Sequence, residues 1–121
     1  IFDDELAARR RIAETYDARL SAFARPQRHL PGAQSGCAYY SLCIENRDIV
    51  VEKVNKMGVP TAIYYTTPLH NMPAFAEFAP EGGLPVTETV STEIFALPMH
   101  PYLTPDQVDY ICDVVEASAS Q

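Results

Sequence analysis

Leu6, Ala13, Tyr16, Leu20 and Phe23, with Arg10 filling the step between the first two, lie on one stripe spaced three to four residues apart, and Asp3 and Asp4 stand before it. That period predicts a helix over residues 4–24, with its acidic residues at the end of the dipole that favours them. At about 1.5 Å per residue it would reach roughly 30 Å, long for a small domain, so it reads as a strut leading in from something larger. Residues 25–35 hold Pro26, Pro31 and Gly32 without periodicity and read as a connector. From Cys37 to Glu45 the period changes to two. Ala38, Tyr40, Leu42 and Ile44 alternate onto one face, which predicts a half-buried strand.

Asn46 can cap a helix from Arg47 to Met57 that turns Val50, Val54 and Met57 inward and ends on a left-handed Gly58. Val59 to Tyr65 is rich in β-formers and predicts a second strand, with Pro60 near its start. Residues 66–83 are broken by prolines and glycines and offer one short helical stretch, Pro73 to Phe78. So long a connection is uncommon in a compact domain unless it is disordered or functional, and Leu69, Met72, Phe75 and Phe78 argue against disorder. Pro85 to Glu93 reads as a short helix and Ile94 to Leu97 as a third strand. Thr104-Pro-Asp-Gln107 then places a cap, a first-turn proline and a reciprocal glutamine ahead of Val108, Ile111, Cys112 and Val115 at helical spacing. The sum is an α+β fold: a small two-layer domain with an about three-stranded sheet packed with helices and no internal repeat.

Composition narrows the function. A chain of 121 residues, 47% hydrophobic, can bury roughly two thirds of its unfolded surface in one core. Nine basic against 16 acidic side chains give a formal charge of −7, which repels phosphate backbones and anionic lipid surfaces, so neither nucleic acid nor membrane is an expected partner. Cys37, Cys43 and Cys112 form no C-x-x-C pair and no even set. They read as free thiols in a reducing compartment, and with no apolar run of about 20 residues the expected location is cytoplasmic. A chain that opens on Ile1 rather than Met is read as continuing upstream.

Catalytic signatures are sparse. His29, His70 and His100 stand in separate segments without ligand-spaced partners, so no metal site is expected. Cys43 alternates away from the expected core face, without a base beside it. The only lysines, Lys53 and Lys56, fall on the outer part of the 47–57 helix, where an amine stays protonated, so no Schiff-base lysine is expected in this chain. Arg9, Arg10 and Arg11 read as a solvated face paired to Asp4, Glu5 and Glu14. What remains is Tyr64, Tyr65 and His70. Two phenols end a strand and lead into the long loop that carries the imidazole, a set able to bond sugar hydroxyls, carboxylates or phosphates and to stack on a ring. They can equally be ordinary strand aromatics and a loop histidine bonded to backbone, and spacing leaves both readings open.

The words themselves narrow the choice. Met57 to Tyr65 (Met-Gly-Val-Pro-Thr-Ala-Ile-Tyr-Tyr), Pro68-Leu-His70, Pro73-Ala-Phe75, Leu84-Pro-Val86 and Ala96 to Leu103 (Ala-Leu-Pro-Met-His-Pro-Tyr-Leu) resemble, in order, the carboxyl-terminal region of the DegT/DnrJ/EryC1/StrS family. The opening helix, ending in Tyr16-Asp17, is similar to the helix that leads into that family's small domain. These are pyridoxal-phosphate-dependent aminotransferases of nucleotide-linked keto sugars. The resemblance implies the C-terminal small domain of a fold type I PLP aminotransferase: residues 1–24 as lead-in helix from a large domain, 25–121 as the small domain. It implies pyridoxal 5'-phosphate bound mainly by the large domain, an amino donor such as glutamate, a nucleotide-sugar acceptor and a homodimer. It further implies substrate-binding roles for Tyr64, Tyr65 and His70, no catalytic or cofactor-binding residue in this chain, and no activity for the chain alone. Tyr64 stands where many relatives have His, and the segment from Gly36 to Tyr39 departs from their tyrosine and glutamine pattern, which leaves the sugar open. His100 and the prolines around it read as structural. The competing reading is a freestanding α+β module that binds a small ligand or regulates through the same three residues.

Overall fold

The computed structural model describes residues 1–120. Its helices are α1 (Phe2–Leu20), α2 (Arg47–Lys56), α3 (Pro85–Glu93) and α4 (Pro105–Ala119). The strands are β1 (Arg25–Pro26), β2 (Tyr40–Cys43) and β3 (Ile94–Leu97), and two short 3-10 turns, Leu69–Asn71 and Pro73–Phe78, lie in the long loop. The sheet is antiparallel in the order β1-β2-β3, with Leu42 opposite Phe95 and Tyr40 opposite Leu97. This is the expected α+β architecture, with α3, β3 and α4 where the sequence puts them.

The second expected strand does not form a ladder, and another segment completes the sheet. Val59 to Tyr65 makes a single bridge, in which Ala62 and Ala96 exchange backbone bonds of 3.2 and 2.7 Å. The reason is a lack of donors at its start: the Val59 N–H closes the end of α2 on the Val54 carbonyl, and Pro60 has none. The supposed connector instead supplies β1, where Pro26 is tolerated because the strand is an edge. Strand β2 also starts later than its alternation suggests. Cys37 has a left-handed φ of 47° and Ala38 is exposed, so pairing begins at Tyr40.

Helix ends deviate for equally local reasons. Helix α1 stops at Leu20 rather than residue 24, because the N–H groups of Phe23 and Ala24 both turn back onto the Leu20 carbonyl. Its buried residues are Ile12, Tyr16 and Leu20, while Phe23 lies past the end and is half-exposed. At α2, Asn46 is left-handed with φ 56° and makes no side-chain cap. Arg47 takes the structural role there: 5% exposed, it donates through Nη1 to the carbonyls of Ser91 and Ile94 at 3.3 and 2.7 Å. Val50 and Val54 point inward as read, but α2 ends at Lys56 and Met57 is exposed. Gly58, with φ 82°, is the left-handed terminus expected of it.

The core is a seam between α1, α4 and the inner face of the sheet, where Tyr16, Leu20, Leu42, Phe95, Cys112 and Val115 are wholly buried. The Tyr16 hydroxyl donates to the Pro98 carbonyl at 2.8 Å, and that of Tyr40 to Asp17 at 2.7 Å, so neither phenol is left unpaired. Burial pushes both phenols well above the ordinary tyrosine range and keeps them neutral. Arg19 crosses to α4 and donates to Glu116 at 2.9 Å and Asp113 at 2.7 Å. The arginine run does not pair with the acids of its own helix. Arg9 reaches the carbonyls of Cys37 and Met99, each at 3.4 Å, and Arg10 reaches Gln34 at 3.1 Å, because the turn after β3 and the segment before β2 pass over that face of α1.

Both halves of the capping box on α4 form: Thr104 Oγ1 accepts from the Gln107 N–H at 3.2 Å, and the Thr104 N–H donates to Gln107 Oε1 at 2.9 Å. Thr104→Ala removes the acceptor, and a loss of about 1 kcal/mol is expected. Urea unfolding should show it as a lower midpoint at unchanged slope.

Candidate functional site

The two tyrosines and the histidine separate into two features, a surface ledge and a loop cavity. Ala62, pinned to β3, delivers Tyr64 and Tyr65 to the surface, where they are 42% and 73% exposed. Tyr39, just ahead of β2 and 68% exposed, joins them: its ring lies edge-on to Tyr64 at 5.1 Å, and Tyr64 lies edge-on to Tyr65 at 5.7 Å. The result is a ledge of three aromatic rings open to solvent, with edge-to-face packing holding the middle one.

His70 is placed differently. The loop turns back through its two short 3-10 turns and sets the imidazole against the first half of α3, where Nε2 lies 2.9 Å from Glu88 Oε1. Its side chain is 9% exposed. The same Glu88 oxygen accepts the Leu84 N–H at 3.0 Å. The bond from His70, and after it the one from Leu84, hold the Glu88 carboxyl below the usual range. Gly83 makes the approach possible: φ is 71°, and a Cβ there would sit 2.7 Å from Glu88 Oε1. Around the imidazole, Leu69, Phe75, Phe78, Pro80 and Leu84 line an open apolar cavity of about 500 Å³.

Chemically, the ledge offers π-faces and phenol groups, and the His70 cavity offers one oriented imidazole in apolar surroundings. This is binding equipment. Two members escaped the sequence reading. Tyr39 was legible in principle, since alternation sets it opposite the buried Tyr40. Glu88 was not, because nothing in a helical acid 18 residues away announces that it will meet His70.

The remaining candidates fall away from this region. His100 is exposed, its ring 6.5 Å from that of Tyr102, and its carbonyl serves the Leu103 N–H in the turn before α4. Burial pushes the Cys112 thiol up to about 11, and Cys37 is buried as well, while Cys43 is half-buried on the sheet. Lys56 is exposed and bonded to Glu52 at 2.5 Å on the solvent side of α2. A larger cleft of about 790 Å³ runs between β1 and α3, lined by Arg25, which is paired with Glu93, by Arg28 and by mostly apolar side chains, and it contains none of the three predicted residues. Among the described residues no acid, cysteine and histidine cluster could hold a metal, and no helix is long and apolar enough to cross a membrane.

The fold is a small α+β domain, and the tyrosine ledge and His70 are carried on segments outside its strands. Residues 1–116 match the profile of the DegT/DnrJ/EryC1/StrS aminotransferase family, and the chain belongs to that family. It is 35% identical, over 93% of its length, to the UDP-2-acetamido-2-deoxy-3-oxo-D-glucuronate aminotransferase of Pseudomonas aeruginosa. It is 34% identical over 97% of its length to the erythromycin biosynthesis sensory transduction protein EryC1 of Saccharopolyspora erythraea. The fold superposes with a TM-score of 0.90 on a DegT DnrJ EryC1 StrS aminotransferase crystal structure from Brucella abortus, at 37% identity over 98% of this chain. The chain spans about a third of the length of these relatives: 31%, 33% and 32%.

A depressed carboxyl makes the loop acid-sensitive. With the folded Glu88 value below its unfolded one, its contribution is complete above the ordinary carboxylate range and is lost as pH falls through the depressed value. The protection factor of the Leu84 amide, taken against its intrinsic exchange rate at each pH, should therefore fall on acidification before those of the β2 and β3 amides do, and Glu88→Gln should abolish that early step.

Proposed function

We propose that this chain is the C-terminal part of an aminotransferase that moves an amino group from an amino acid such as glutamate to a nucleotide-linked keto sugar, and that Tyr64, Tyr65 and His70 form its share of the sugar-binding wall, with Tyr39 beside them. The observation that carries the reading is similarity running through nearly the whole chain to an aminotransferase named for a UDP-linked oxo sugar. The exposed ledge supports it, since aromatic faces and phenol hydroxyls suit a sugar ring and its hydroxyls.

Pyridoxal phosphate is the cofactor this reading requires, and when bound it supplies an electron sink. The chain's own residues fit a contributing wall and not the covalent anchor. Lys53 and Lys56 both lie on α2, and Lys56 is held on its solvent face by Glu52. The anchoring lysine and most of the cofactor's contacts then belong to a preceding large domain, to which α1 leads. Residues 1–24 serve as that connection and 25–121 as the small domain. The assembly is a homodimer in the cytoplasm. Within it, the tyrosine ledge binds and orients the sugar, and the apolar cavity beside His70 limits water.

In the full-length protein, Tyr65→Ala or His70→Ala should lower kcat/KM for the keto sugar about 10- to 100-fold, a loss of about 1–3 kcal/mol of transition-state binding. The unfolding midpoint should change little for Tyr65→Ala. Unchanged kinetics in both variants would remove these residues from the site. The isolated chain should give no transamination, as measured by keto acid release from glutamate.

A further inference from the structure

His70 does not meet its surroundings as a freely turning ring. Its Nε2 is 2.9 Å from Glu88 Oε1, and the same oxygen takes the Leu84 N–H at 3.0 Å. A carboxylate oxygen only accepts, so the nitrogen facing it must carry a hydrogen. In the neutral imidazole that leaves Nδ1 as a bare lone pair. Glu88 is itself fixed from three directions: it stands in the first turn of α3, where the dipole favours an anion, it is bonded to Leu84, and Gly83 presses against the oxygen with room for no side chain. We infer that Glu88 is a positioning residue for His70, holding the ring in its Nε2–H form so that Nδ1 meets the ligand as an acceptor and selects a group that brings a hydrogen, such as a sugar hydroxyl or an ammonium, over a phosphate or carboxylate oxygen. This rests on the reading of His70 as part of the substrate wall.

If a ligand group passes its proton to Nδ1, the resulting imidazolium is paired at once with the carboxylate behind it, while the neutral ring without Glu88 could turn or change tautomer and offer a donor instead. The specificity of His70 thus depends on a residue that need not touch the ligand. The apolar lining from Leu69, Phe75 and Phe78 sharpens the effect, because a mismatched polar group there would find no alternative partner among those side chains.

The test uses the full-length protein carrying ring-labelled [15N]histidine, with the His70 signals assigned by their loss in His70→Gln. The wild type should show the nitrogen pattern of a neutral ring protonated at Nε2. Glu88→Ala should shift it to a tautomer mixture, and Glu88→Gln, whose amide oxygen can still accept, should hold most of the original pattern. Kinetics provide the second arm: kcat/KM for the keto sugar should fall about 10- to 100-fold in Glu88→Ala, with Glu88→Gln recovering much of it. A wild-type ring protonated at Nδ1, or a pattern unchanged in Glu88→Ala, overturns the inference. If Glu88→Ala does not fold, Gly83→Ala, which displaces the carboxylate without deleting it, must shift the same nitrogen signals. No turnover of keto sugars by the wild type would instead sink the functional reading, and the nitrogen pattern would still decide the role of Glu88.

Discussion

Burial of Tyr16 and Leu20 from α1 against Cys112 and Val115 from α4, above Leu42 and Phe95 of the sheet, is the constraint on which the rest of the molecule depends. Wholly buried apolar side chains contribute about 1.5–3 kcal/mol each, whereas the Arg19 links to Glu116 and Asp113 lie at the surface, where solvent screens them. The seam therefore fixes the helices, and the charges trim their register. Tyr16 connects the seam to the surface, since its hydroxyl holds the Pro98 carbonyl and thereby the turn between β3 and α4.

Once the sheet is fixed, β3 acts as the reference for the candidate site. Its outer edge takes Ala62, and two residues later the chain emerges at the aromatic ledge. Just ahead of it, α3 carries Glu88, which captures His70 from the long loop. A loop without regular strands is thus tied at Ala62 and again at Glu88, and the side chains between and beside these points can be presented in a defined geometry while staying exposed. Binding groups on loops held by a rigid frame are the arrangement expected where recognition has to vary without loss of the core.

Much of this was legible from the chain. The period-3.6 stripe of α4, its Thr104 cap and Gly58 follow from single-residue conformational preferences, and they appear where those preferences put them. The ordered words from Met57 to Leu103 pointed to the family that the profile match establishes. The failures are local readings that their surroundings changed. A strand at Val59 to Tyr65 lost its first donors to the Val54 carbonyl and to Pro60, Asn46 took a left-handed φ of 56° in place of a side-chain cap, and Met57 fell past the end of α2 at Lys56. Arg47 is the clearest instance: an arginine at a helix start reads as exposed, yet two distant carbonyls in the α3–β3 segment draw it inside.

The amino-acid sequence by itself determined the helices, the strands β2 and β3, the family and the residue types available for binding, because periodicity, caps and ordered motifs are properties of neighbours along the chain. Tertiary structure alone decided that β1 would complete the sheet, that Tyr39 would join Tyr64 and Tyr65, and that His70 would be held by Glu88. Those three outcomes are pairings between residues 16 to 25 positions apart, and which of many possible partners a backbone edge, a ring or an imidazole meets is fixed only when the core closes and brings one of them within reach.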